Sequence, residues 1–227
     1  MSFAKYIFEA TQAATAGLEA PTIGKQLAKQ GISFAKTAEA EIFVHKLLRE
    51  GLYLDIETAG KEQTDQILSI AFSRGLTSAG NTPTSLFAKY ADDPNNLDPW
   101  VRQVVWPKIK QEQALPEKEV LQKFISEIQS NEGKALVTWA GGYRADPTAV
   151  GFDIPKLLQR AEYHGLGTEM QEAMGKMIPI DMGREYAYRI SQELAHSDID
   201  KLSWSLAVPP INSAIPYAAN KSSVAAT

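Results

Sequence analysis

The 227-residue chain contains no cysteine. That absence removes disulfide frameworks, cysteine nucleophiles, thiolate zinc sites and iron–sulfur clusters together. Histidine is nearly as scarce, at three residues, so the metal ligands on offer are mainly carboxylate oxygens. Such donors suit hard divalent ions such as Mg2+ or Mn2+. No apolar run approaches the about 18 residues that a spanning helix needs. The N-terminal stretch lacks the basic start, apolar run and cleavage site of a signal peptide. A cytoplasmic protein with no membrane partner is expected, and the lack of cysteine also fits a virus-encoded one. An excess of positive charge is missing too: 23 Lys and Arg face 27 Asp and Glu, for a net charge of -4. That argues against a basic protein that coats DNA. It leaves a metal-dependent nuclease open, because bound ions supply the positive charge that its carboxylates lack.

What is there is globular. Hydrophobic residues make up 44% and charged residues 22%, ordinary values for a packed domain. The length allows a sizeable core and fits one domain with an appendage. Residues 3–14 place Phe3, Tyr6, Ile7 and Ala10 at helical spacing, and Pro21 breaks the segment. Residues 23–50 carry a longer helical pattern through Leu27, Phe34, Ile42, Phe43, Leu47 and Leu48, weakened at Gly31 and ended by Gly51. These helices either cover one side of a domain or offer a docking arm for a partner protein or a second copy of the chain.

After Gly51 the period changes to that of strands. Residues 52–56, 66–73 and 85–90 read as three consecutive strands. A polar loop over 91–99 and a short helix over 100–109, interrupted near Pro107, follow. Residues 116–129 form an amphipathic helix with a stripe of Val120, Leu121, Phe124, Ile125 and Ile128. A short strand over 135–139, a helix opening at Pro155 and ended by Gly165, a helix over 170–177 and an extended piece over 178–180 come next. Helices over 184–195 and 201–208 and an irregular tail from 209 complete the pattern. The fold class is α/β, a sheet that opens with an antiparallel meander and is flanked by helices.

The sharpest local feature is Leu54-Asp55-Ile56-Glu57-Thr58. Residues i and i+2 of a strand share a face, so Asp55 and Glu57 project side by side. Two like charges that close repel unless a cation lies between them, although a strand ending in solvated acids would look the same. Asp153, in Gly151-Phe152-Asp153-Ile154-Pro155, stands where a helix N-terminus favours a negative charge. Asp181 follows the apolar Ile178-Pro179-Ile180. Capping alone would account for either of these two.

In this order the motifs resemble the DEDD superfamily of 3′–5′ exonucleases, which has a ribonuclease H-like fold. The resemblance covers roughly residues 51–208: the Asp-x-Glu of Asp55 and Glu57, the strand Gln-Ile-Leu-Ser-Ile-Ala-Phe-Ser, Val137-Thr138-Trp139, and Gly-Phe-Asp153-Ile-Pro-Lys-Leu. It implies a catalytic domain over 51–208, preceded by a helical extension over 1–50 and followed by a tail over 209–227. It also implies that Asp55, Glu57 and Asp153 hold two Mg2+ or Mn2+ ions. One ion would activate water and the other would stabilise the leaving 3′ oxygen of single-stranded DNA or RNA ends. Thr58, Trp139 and Phe152 would lie against the substrate. Trp100 and Trp106 could stack on bases, and Arg102, Lys108 and Lys110 could meet phosphates.

The last family motif, a His or Tyr followed by Asp, has no clear counterpart. After Leu206 only Tyr217 remains, with Asn220 and Ser222 behind it, and no acid follows Asp200. His196 with Asp200, or Asp198, stands too early. Three explanations are open: the sequence stops before that motif, His196 and Asp200 supply it through a rearranged helix, or the domain has lost full catalytic power and serves nucleic-acid binding or assembly. Residues 140–151 form an insertion that carries Tyr143 and Arg144. Its Gly141-Gly142 lacks the Lys-Ser/Thr of a phosphate loop.

Overall fold

A computed structural model of the chain describes residues 3–18, 22–62, 64–75, 83–139 and 152–182. Helices α1 (Phe3–Thr15), α2 (Thr22–Lys29) and α3 (Thr37–Glu50) come first. The long helical pattern over 23–50 is therefore two helices. The break follows from Gly31, whose φ of 72° is the left-handed backbone of a helix C-terminus. The Gly31 and Ile32 amides donate to the Ala28 and Leu27 carbonyls at 3.0 and 2.8 Å, which closes α2.

Three antiparallel strands follow: β1 (Leu52–Thr58), β2 (Ile67–Arg74) and β3 (Thr84–Phe87). Residues 94–108 contain short 3-10 and π turns rather than one helix. Helix α4 (Glu117–Gln129) buries Val120, Leu121, Phe124, Ile125 and Ile128, the expected stripe. Strand β4 (Ala135–Thr138) leads to α5 (Asp153–Tyr163), α6 (Gly167–Gly175) and β5 (Ile178–Asp181). α5 begins two residues before Pro155. A proline in the first turn lacks only an N–H that has no helical partner there. The expected helices over 184–195 and 201–208, the tail and the insertion lie outside the described residues.

The sheet order is β3-β2-β1-β4-β5, with β4 and β5 parallel to β1. An antiparallel meander extended by two parallel strands is the ribonuclease H-like architecture that the motif order implied. The two faces have separate cores. Leu52, Leu54 and Ile56 of β1 pack with α4, α5 and α6 on one face. On the other, α1, α2 and α3 cover Ala135 and Val137 of β4 and Ile178 and Ile180 of β5. Among the described residues no helix is long and apolar enough to cross a membrane.

Gly75, where the chain leaves β2, has a φ of 71°, and its amide donates to the Gly51 carbonyl at 2.7 Å. A Cβ there would sit 2.2 Å from the Arg49 carbonyl oxygen, whereas one on Gly31 would meet nothing within 4 Å. Gly31→Ala is expected to cost about 1 kcal/mol, the left-handed penalty alone. Gly75→Ala adds a backbone clash and is expected to cost about 2–3 kcal/mol. Urea unfolding of the two variants checks this, and equal costs would contradict it.

Candidate active site

Parallel strands β1, β4 and β5 present their carboxyl ends at one edge of the sheet, where open α/β sheets build their sites. Leu54 pairs with Thr138, the last residue of β4, so residues 55–58 run beyond that partner. Thr138 also pairs with Asp181, the half-buried last residue of β5. The pleat sends Leu54 and Ile56 into the core under α4, while Asp55 and Glu57 share the opposite face with Tyr53. Both acids are half-buried. Their cross-strand neighbours on β2 are Ala71 and Ser69. The register slips between Glu57 and Thr58, and such irregularities commonly re-aim side chains at sites.

The Glu57 Oε1 atom is buried and has no hydrogen-bond partner. An unsatisfied buried acceptor costs about 1–3 kcal/mol. A hard cation would remove that cost, and Asp55 on the same face would bring a second anionic oxygen. Asp153 is 3% exposed in the first turn of α5. In chemistry the donors therefore suit a hard ion. In geometry, among the described residues, no group of three or more Asp, Glu or His side chains is gathered to hold a metal. The strand brings Asp55 and Glu57 together, and Asp153 stands on a different element.

The other expected site residues are placed as follows. Thr58 is buried and its hydroxyl donates to the Gly60 carbonyl at 2.7 Å, which closes the turn after β1. Trp139 is half-buried directly after β4. Phe152 is half-buried against the core, with its ring centroid 5.4 Å from Lys156 Nζ. Tyr53 donates its hydroxyl to the Leu48 carbonyl at 2.8 Å, and burial pushes its pKa up, which keeps the phenol protonated. Trp100 is exposed, and Trp106 meets the Tyr90 ring edge-on at 5.8 Å. Arg102, Lys108 and Lys110 are exposed on a segment whose Val101 and Val105 pack onto Ala59, just past β1. His196, Asp198, Asp200, Tyr143 and Arg144 lie outside the described residues.

Sequence reasoning missed a buried network beside this site. Glu117 accepts from Arg160 Nε at 2.9 Å and Nη2 at 2.5 Å, from the Ile67 amide at 2.9 Å, and meets His164 Nε2 at 2.9 Å. Burial by itself pushes the Glu117 carboxyl up; the bonds from Arg160, His164 and Ile67 outweigh it and hold the pKa below its ordinary value. Lys156 is fully buried, and burial lowers its pKa. The available signal was the spacing of Asp153, Lys156, Arg160 and His164, which one helix stripe accommodates.

No protein-family model matches the sequence, and no curated protein does. Solved structures of exonuclease I are similar in part. An apo form shares 15% identity with a TM-score of 0.37, over 50% of this chain and 24% of that one. A product-bound form shares 16% with a TM-score of 0.37, over 50% and 25%. The enzyme of Methylocaldum szegediense shares 21% with a TM-score of 0.32, over 40% and 20%. The chain thus spans about a quarter of the length of the first two.

Proposed function

We propose that the protein is a metal-dependent 3′–5′ exonuclease that hydrolyses phosphodiester bonds at single-stranded DNA or RNA ends. The observation that carries this reading is the pair Asp55 and Glu57, projecting together past the end of β4 with one glutamate oxygen buried and unsatisfied. Asp55 and Glu57, with Asp153, would hold two Mg2+ or Mn2+ ions. Such ions, when bound, lower the pKa of an attacking water and stabilise the leaving oxygen. In the reaction the water oxygen bonds to phosphorus and the bond to the 3′ oxygen breaks. One water proton ends on that oxygen, which leaves a shortened strand with a free 3′ hydroxyl and a 5′-mononucleotide.

The chain's own contribution is placement. Asp55 and Glu57 face the small side chains of Ala71 and Ser69 across the sheet, and a phosphate would meet the acids through the bound ions. Arg102, Lys108 and Lys110 would attract the strand's phosphates, and the exposed Trp100 ring would stack on a base. His196 and Asp200 stand as the base and fourth ligand in this reading.

One observation favours the alternative, an impaired exonuclease-like module for nucleic-acid binding or assembly: the absence of a gathered three-ligand group among the described residues. Incubating the full chain with 5′-labelled single-stranded DNA and RNA, with Mg2+ or Mn2+ and with chelator, separates the two. The enzyme reading expects metal-dependent shortening. The module reading expects retarded but intact strands.

Metal linkage provides a further prediction. At a Mn2+ concentration ten times its Kd, each bound ion should raise stability by about 1.4 kcal/mol, or about 3–6 °C in Tm at this size. Glu57→Leu should abolish that rise while leaving the metal-free protein at least as stable as the wild type. A thermal melt with and without Mn2+ reads both, and an equal rise in the variant would contradict the assignment of Glu57.

A further inference from the structure

We propose that Lys156 and Arg160 are positioning residues: they lock α5, which carries Asp153 in its first turn, onto the turn that follows Asp55 and Glu57. This rests on the reading of those three carboxylates as one site.

The observations converge on residues 62–65. Lys156 Nζ donates to the Glu62 carbonyl and, at 3.3 Å, to the Asp65 carbonyl. Arg160 Nη1 donates to the Thr64 carbonyl at 2.8 Å. Three carbonyls of one turn thus face one helix. The turn is itself braced, since the Asp65 carboxylate accepts from the Glu62 amide at 2.8 Å. Arg160 then passes the hold to Glu117 on α4, and Glu117 accepts from Ile67 at the start of β2.

At 100° per residue, Asp153, Lys156 and Arg160 fall on one stripe of α5. The side of the helix that grips the turn is therefore the side that carries Asp153. Burying a lysine completely among carbonyls is a costly way to fill space, and apolar residues of similar volume commonly do as well or better for stability. What the two cations add is direction: each fixes a point of α5 to a point of the chain a few residues beyond Glu57. In the proposed site, Asp153 comes from α5 and Asp55 and Glu57 from β1, and this clamp sets the spacing between them.

Lys156→Met in the full chain tests the proposal, with Lys156→Gln, which keeps an N–H donor, as a second variant should the first not fold. Both are expected to quicken amide hydrogen exchange across residues 61–67. In strand shortening, kcat should fall about 100-fold, as for a misplacement of about 1 Å, with KM within about twofold. The Mn2+ Kd should rise about 10-fold, as when support of a ligand is lost, and Lys156→Gln should show a smaller loss than Lys156→Met. A folded variant that exchanges faster at 61–67 yet keeps wild-type kcat and Mn2+ Kd overturns the proposal, and so does one whose exchange is unchanged. Carboxyl-carbon NMR of the metal-free protein separates this from failure of the enzyme reading. If the wild type neither binds Mn2+ nor shortens strands, that reading fails. Shifted Asp153 and Glu57 signals in Lys156→Met, with Glu132 unmoved, still uphold the positioning role. Unmoved signals overturn it.

Discussion

Asp55→Ala is expected to lower metal-dependent nucleotide release by about 1,000-fold or more. Charge stabilisation by bound metal ions is worth several kcal/mol in the transition state, and about 1.4 kcal/mol corresponds to tenfold in rate. Asp55 is one of the two acids on the face of β1 turned away from α4, so under the proposed site its loss would leave Glu57 as the one ligand from β1. Folding should survive the change, because the side chain is half-buried, faces Ala71 across the sheet and takes no part in the core under α4. Single-turnover shortening of a labelled strand by wild type and variant at equal Mn2+ measures the effect. A variant that melts like the wild type and retains more than a tenth of its rate would remove Asp55 from the chemistry.

The largest effect on stability is expected at Glu117. Glu117→Gln keeps the shape but leaves Arg160 buried without its anion, which costs about 3–5 kcal/mol for pairs of this kind. At about 2–4 °C per kcal/mol in a chain of this size, Tm should fall by roughly 10 °C. The effect should depend on pH in a stated direction. The Glu117 pKa is lower in the folded protein than its ordinary value of 4.5, so the unfolded chain takes up the proton first as pH falls. The stabilisation is therefore complete above about pH 4.5 and disappears as pH falls through the still lower folded value. The gap between wild type and variant should be widest near neutral pH and narrow below about pH 4.5. Thermal melts across pH 3–7 read both points, and a gap that widens on acidification would contradict the network.

Much of this fold is legible in the sequence. The strands of the meander and the α4 stripe follow from period alone, because each element buries one face and the pattern of apolar residues marks it. The division of residues 23–50 was harder. Gly31 was visible, but whether a glycine bends a helix or ends it depends on the Leu27 and Ala28 carbonyls, which only the folded chain brings to it. The acids of β1 were legible because a strand's two-residue period fixes their common face without any tertiary knowledge. The Glu117 network was not. Glu117 reads from sequence as an ordinary first-turn acid, and its partners lie 43 and 47 residues away on α5 and just beyond its end. Likewise, the shared stripe of Asp153, Lys156 and Arg160 does not by itself announce that Lys156 is buried against carbonyls of residues 62 and 65, because that turn comes from about ninety residues earlier.

The central claim is that Asp55, Glu57 and Asp153 form one metal site. Anomalous scattering from Mn2+ in crystals of the full chain tests it most directly. The account predicts an ion about 2.1 Å from carboxylate oxygens of Asp55 and Glu57, with Asp153 completing the same site. At saturating Mn2+, no anomalous peak beside Asp55 and Glu57, or ions bound only elsewhere on the surface, would contradict it.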